Sequence, residues 1–268
     1  MEKDRQRRSI GTYAPPWWER FRFKLKRTLV DDNDSSYFGA IYELKDAHQY
    51  APNYLIAFRG TIKRFQTIYE DMKLNFKFVY GHPEESPRFN KAYEAVWNTI
   101  DLAGAANVWL AGHSLGASIA MLAGRKLAKC QLYLETLMKA GIAIIMKCPS
   151  EDLEEDAFIM LSEWKPNLFV NPSDPICAEY IGYFQHRVKM DEIRMGDVER
   201  IAAKESIISL SSRAIGRESE PLHLLPTANL TVNDRLSVKK AHKIDQWWQE
   251  PFEGSTQLYK FDTDYPHH

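Results

Sequence analysis

Ser114 stands between two glycines in Gly112-His113-Ser114-Leu115-Gly116, with the apolar run "NVWLA" before it and "SIAMLAGRKLAK" after it. A serine hydroxyl is a poor nucleophile until a base takes its proton. A tight strand-to-helix turn answers part of that need. It lifts the hydroxyl clear of the sheet edge, and its glycines let strand and helix pass close together. The helix that follows aims free N–H groups at the reaction centre, which favours negative charge there. Gly-x-Ser-x-Gly alone is a weak signal, because an ordinary turn can use it. The strand pattern before it and the helix pattern after it make Ser114 the candidate nucleophile. Attack on a carbonyl also needs two N–H donors for the oxyanion. Leu115, the residue after the serine, offers one. The strand Tyr54–Phe58 in "LIAFRGT" runs into Arg59-Gly60-Thr61, and Thr61 offers the other, with its hydroxyl as a third contact. The plain alternative is that Arg59-Gly60 is only a turn.

A nucleophilic serine needs a base and an acid to orient it. In enzymes built on such a turn the chain order is Ser, then Asp or Glu, then His. Asp174 lies in "NPSDP", directly after the strand-like "NLFV", and Pro172 and Pro175 stiffen that loop. A turn-forming aspartate is the bland alternative. Asp152 and Asp156 sit in an acidic, solvated run and are poor rivals. The histidines beyond Asp174 are His186, His223, His242, His267 and His268. His186 follows the acid too closely, and the last two end the chain. His223 opens a strand-like run, where a histidine is usually structural. His242 follows that run at the start of a loop or helix, the place where a base belongs. His242 is therefore preferred, with His223 as the alternative.

The elements that must hold these residues follow from periodicity. "YFGAIYEL" (37–44) and Tyr54–Gly60 read as strands, the second apolar at consecutive positions as a buried strand is. Phe89, Tyr93, Val96, Trp97 and Ile100 recur at helical spacing, and Gly104 is placed to end that helix. Ile119, Met121, Leu122 and Leu127 mark the helix after Ser114. "NLFV" is a further strand, "LHLLPTANLTVND" reads as the last strand region, and "AHKIDQWW" starts a late helix or turn. Near the N-terminus, Trp18, Phe21, Leu25 and Leu29 fall on one face of a helix-like stretch. "IAIIMK" (142–147) fits either strand or helix. Strands alternating with helices imply an α/β fold with a mainly parallel central sheet flanked by helices. Residues 1–268 read as a single domain, with residues 1–15, 189–220 and 252–268 expected to be mobile.

Three segments, taken in order, carry a family likeness: "AFRGT", "AGHSLGAS" and "NPSDPICAEYIGY". Together they resemble the class 3, or fungal-type, lipases of the α/β-hydrolase superfamily. The likeness is closer to a plant branch labelled GDSL esterase/lipase-like, although no Gly-Asp-Ser-Leu occurs in this chain. It extends over "APPWWERF", "DDNDSSYFGAIYEL", "EPLHLLPTANLTVN" and "AHKIDQWW", and so over nearly the whole sequence. The resemblance implies the α/β-hydrolase fold and ester hydrolysis without metal or organic cofactor. It also implies that "AHKIDQWW" is the histidine segment. Two departures stand out. Many class 3 lipases carry Gly-Gly after Ser-Leu, where this chain has Gly116-Ala117. The segment "TIKRFQTIYEDMKLNF" from Thr61 is short for an interfacial lid. A soluble or small acyl ester thus gains ground over triglyceride at an interface. Two other readings use the same residues: a catalytically quiet fold acting as a receptor or interaction module, and acyl transfer to an alcohol.

Composition narrows the setting. Among 268 residues the formal net charge is −1, which gives no basic face for nucleic acid. The longest apolar stretch, Ala140–Met146, is far shorter than a membrane span. The N-terminus lacks the apolar core of a secretory signal, so a cytoplasmic location is expected. Cys130, Cys148 and Cys177 have no paired spacing and no nearby histidine, which fits a reducing compartment and argues against a metal site. The basic block Arg20–Arg27 reads as the solvated face of an amphipathic segment, with weak contact to a membrane surface as the sharper alternative. Of Trp17, Trp18, Trp247 and Trp248, most are expected in the core. One of the last two is a candidate wall for an acyl pocket.

Overall fold

A computed structural model describes residues 17–46, 48–60, 86–139, 161–174, 177–192, 225–234, 238–248 and 252–261. The chain divides into two units, Met1–Leu127 and Ala128–His268.

The first unit begins with a single helical turn, α1 (Trp17–Arg20), and then strand β1 (Phe23–Val30). This corrects the expectation of a long amphipathic helix through Leu25 and Leu29. Arg22 takes a left-handed φ of 61°, which ends the helix. Beyond it "FKLK" alternates apolar and basic, a period of two as well as a helical stripe. Thr28 and Val30 are β-branched and favour the extended form. The basic block is accordingly a strand face. Lys24 and Lys26 each hold Glu43 at 3.0 Å, and Arg22 pairs with Asp46.

Strands β2 (Tyr37–Leu44) and β3 (Tyr54–Phe58) continue the sheet, and helix α2 (Pro87–Ala103) leads to β4 (Val108–Gly112). The order is β1-β2-β3-β4. The first two pairings are antiparallel and β3–β4 is parallel. The mainly parallel sheet expected from the sequence is therefore corrected to a mixed one. The links 31–36 and 45–53 are too short for a crossover, so they close hairpins. Among the described residues that join the strands of this sheet, the helix lies in the β3–β4 connection. Strand β2 is buried on both faces. Tyr42 and Ala40 pack with Trp18 and Phe23, while Gly39 lies against Leu29 and Phe58. Helix α2 starts at Pro87, is capped by Gly104, and buries Phe89, Ala92 and Val96, while Tyr93, Trp97 and Ile100 of the periodic set are half-buried. Its Arg88 forms a buried ion pair with Asp31, at 2.6 Å.

Helix α3 (Leu115–Lys139) follows the serine turn. In the second unit β5 (Asn167–Val170), helix α4 (Glu179–Glu192), β6 (Ala228–Val232), the short α5 (Val238–Ala241) and β7 (Ser255–Tyr259) form the described elements. The sheet order is β5-β6-β7, parallel then antiparallel. β7 corrects two expectations at once. β6 is not the last strand, and the segment from 252 onward includes an ordered one. Gly254 permits the turn into it, since a Cβ there would lie 2.6 Å from the Val232 carbonyl oxygen. Arg187 on α4 pins the chain entering β6 by donating to the carbonyls of Leu225 and Pro226 at 3.0 and 2.8 Å.

Candidate active site

The serine turn is built from backbone contacts. β3 and β4 run in parallel register, with Phe58 beside Gly112, so Arg59-Gly60 and His113-Ser114 leave the sheet side by side. A Cβ on Gly60 would stand 2.7 Å from the His113 carbonyl oxygen and 3.3 Å from Ser114 Cβ. A Cβ on Gly112 would collide with the backbone of Gly116, and one on Gly116 with the carbonyl of Phe58. Three glycines thus interlock two strand ends with a helix start. Ser114 has a φ of 55°, in the left-handed region that non-glycine residues rarely adopt. Its carbonyl accepts the N–H of Ala117 at 2.8 Å, which begins α3 immediately after it. Leu115 is the first residue of that helix, and its side chain is buried. Its N–H belongs to the first helical turn, where no carbonyl four residues back is available within the helix. Thr61, the other expected donor, lies outside the described residues.

The second unit brings Asp174 and His242 together. His242 Nδ1 is 2.8 Å from Asp174 Oδ2. An ionised carboxylate can only accept, so Nδ1 carries the hydrogen, which in a neutral imidazole leaves Nε2 as the acceptor nitrogen. Asp174 is buried, while the His242 side chain is 40% exposed, so the imidazole has a solvent-accessible side. The acid is held by its own loop. Asp174 N–H donates to the Asn171 carbonyl at 3.0 Å, and Asp174's carbonyl accepts the N–H of Ala178 at 2.9 Å. The Cys177 thiol lies 3.2 Å from Asp174 Oδ2. Burial, followed by the hydrogen bond to this carboxylate, pushes that thiol up from its ordinary 9.0 to about 11. It therefore stays protonated near neutrality and donates to the carboxylate.

Two residues that the sequence did not single out complete this arrangement. Asn171 and Gln246 are both buried, and Asn171 Nδ2 donates to Gln246 Oε1 at 2.9 Å. Gln246 Nε2 donates in turn to the carbonyls of Ala241 and Lys243, at 2.6 and 3.0 Å. No sequence signal marks them. Asn171 reads as a turn former and Gln246 as one polar residue in a tryptophan-rich stretch.

Of the rival residues, His186 lies on α4, while His223, Asp152, Asp156, His267 and His268 lie outside the described residues, as do Cys148 and "IAIIMK". Of the segments expected to be mobile, 1–15 and the part of 189–220 beyond Glu192 fall there too, while 189–192 belong to α4. Trp247 meets Phe169 edge-on at 5.3 Å between ring centres, and Trp248 is largely exposed. Among the described residues no group of three His, Cys, Asp or Glu is placed to hold a metal ion, and no helix is long and apolar enough to cross a membrane.

No family model matches the chain, and no solved structure matches it. Among curated proteins it is similar to the GDSL esterase/lipase At4g10955 of Arabidopsis thaliana. The two are 36% identical over an alignment 311 positions long, which covers 97% of this chain and 88% of that protein.

Proposed function

The chain belongs to the plant GDSL esterase/lipase family, and we propose that it is a carboxylic-ester hydrolase whose serine nucleophile is Ser114, with His242 as base and Asp174 as its orienting acid. The substrate is an acyl ester, lipid-derived or small. The architecture is that of a class 3 lipase-like α/β-hydrolase. The observation that carries the reading is the 2.8 Å contact between Asp174 and His242, residues 68 positions apart. Chain order and the loops that carry them had pointed to Asp174 and, ahead of His223, to His242. The left-handed φ of Ser114 supports the same reading from the first unit.

In this mechanism Ser114 Oγ attacks the ester carbonyl carbon while its proton passes to His242 Nε2. The carbonyl π electrons move onto oxygen, and the N–H groups of Leu115 and Thr61 stabilise that oxyanion. The intermediate collapses, the C–O bond to the alcohol breaks, and the imidazolium protonates the departing oxygen. Water then attacks the acyl-serine and gives its proton to Nε2. Expulsion of Ser114 releases the carboxylic acid, and the hydroxyl regains its proton. Asp174 keeps Nδ1 protonated and stabilises the transient imidazolium. A cytoplasmic setting is part of this reading, in keeping with three cysteines that have no paired spacing.

The test is labelling of the full chain with a fluorophosphonate, followed by peptide mass mapping. Phosphonylation of Ser114, lost in Ser114→Ala and in His242→Ala, is the expected result. Folded protein that takes up no label, or takes it elsewhere, would sink the assignment.

A further inference from the structure

We infer that Asn171 and Gln246 act as a paired amide clamp that positions His242 against Asp174, an inference that rests on the acid–base reading above. Gln246 grips the carbonyls of Ala241 and Lys243, the two residues that flank His242, with a single NH2 group. The backbone that carries the imidazole is thereby fixed from both directions. Asn171 does the same for the acid. Its carbonyl accepts the N–H of Asp174 at 3.0 Å, and its Oδ1 accepts the N–H of Ser173 at 2.9 Å. The 2.9 Å bond between the two amides then joins the acid's loop to the histidine's loop. It forms in a dry interior, with Asn171 fully buried and Gln246 only 3% exposed. Water cannot replace a bond made there without opening the site, so loss of one amide leaves the other with unmet groups.

Neither residue touches the reacting atoms; both are positioning residues. Their effect is on where Nε2 points, and a displacement of about 1 Å is enough to cost on the order of a hundredfold in rate. The signature is a fall in kcat with KM almost unchanged, because acyl-ester contacts are not theirs.

The test uses the full chain and p-nitrophenyl butyrate as substrate. Gln246→Met keeps the volume and removes all three hydrogen bonds. Asn171→Asp keeps the acceptor for Ser173 and removes the donor to Gln246. Each is expected to lower kcat by roughly 10- to 100-fold with KM within about twofold, and the double variant to cost little more than the worse single one. Unfolding midpoints measured beside the rates identify any variant that has failed to fold. Gln246→Met adds no charge to the interior and remains readable if Asn171→Asp, which buries a carboxylate, is unstable. Parental kcat in either folded variant overturns the clamp, as do losses that multiply in the double variant. His242→Ala separates the two layers. If it abolishes turnover while Gln246→Met does not, only the clamp fails. If it leaves turnover at the parental level, the acid–base reading itself fails.

Discussion

The serine turn and the Asp174–His242 pair are held by opposite means. Around Ser114 the determinants are absences: Gly60, Gly112 and Gly116 each leave room for a neighbouring backbone that a Cβ would displace. Around Asp174 and His242 the determinants are present side chains, with Asn171, Gln246 and Cys177 supplying directed hydrogen bonds. The first kind of site is set by excluded volume. It is unforgiving of added atoms and indifferent to polar chemistry. The second kind is set by donors and acceptors. It tolerates equal volume and fails when a donor becomes an acceptor. A nucleophile that must be displayed in one conformation is suited to the first. An imidazole that must change charge during each cycle is suited to the second, since hydrogen bonds respond to charge and steric contacts do not.

Substitutions on each side sharpen this contrast. Removing the Ser114 hydroxyl is expected to have the largest effect. Ser114→Ala should lower ester turnover on the order of a millionfold while leaving the fold intact, read by hydrolysis rate and circular dichroism together. Asp174→Asn comes next, with a loss of about ten-thousandfold in kcat, because an amide can donate to Nδ1 and select the wrong tautomer. Its midpoint of unfolding should move far less than its rate. A smaller effect, expressed in stability rather than chemistry, is expected at the glycines. Gly116→Ala should destabilise the chain by about 1–3 kcal/mol or more in denaturant titration, since the atom it would strike is backbone and cannot rotate away. If Gly116→Ala were silent, the steric half of the comparison would be wrong.

The smallest effect belongs to Cys177. Its thiol ionises near 11 in the folded chain against an ordinary 9.0. Between those values the unfolded chain has released its proton and the folded chain has kept it. The thiol's contribution to stability is therefore fully present below pH 9.0 and is lost as pH rises toward about 11. Cys177→Ala should flatten that decline, visible as a smaller difference between denaturation midpoints at about pH 8 and about pH 10. An unchanged slope would show that the thiol does not bear on the acid's loop.

The same contrast explains what could be read from the sequence. The serine turn is legible because excluded volume acts among contiguous residues, so glycines and flanking periodicities stand together in "NVWLAGHSLGASIAML". Asp174 and His242 were reachable through chain order and through the loops that carry them. The clamp was not, because Asn171 and Gln246 meet across 75 positions and neither has a local pattern that requires the other. β1 was misread because Phe21, Leu25 and Leu29 fall on a helical stripe, while Phe23 and Leu25 also satisfy a strand alternation. The positive φ at Arg22, which decides between them, leaves no mark on composition. β7 escaped notice for another reason: four of its five residues are exposed, so it carries no apolar signal and is held by its backbone ladder to β6.

The parallel pairing of β5 with β6 also fixes the order in which the chain can be completed during its synthesis. Asn167 and Asn229 face each other across 62 positions. At roughly 5–20 residues per second, about 3–12 s separate the emergence of one strand from that of its neighbour. Throughout that interval Leu168 and Val170, both buried in the finished protein, have no β6 to lie beside. The two hairpins of the first sheet wait for only a handful of residues each. On the ribosome, the serine's turn can take shape before His242 has been translated. The nascent "NLFV" segment is the stretch that a chaperone would find bare.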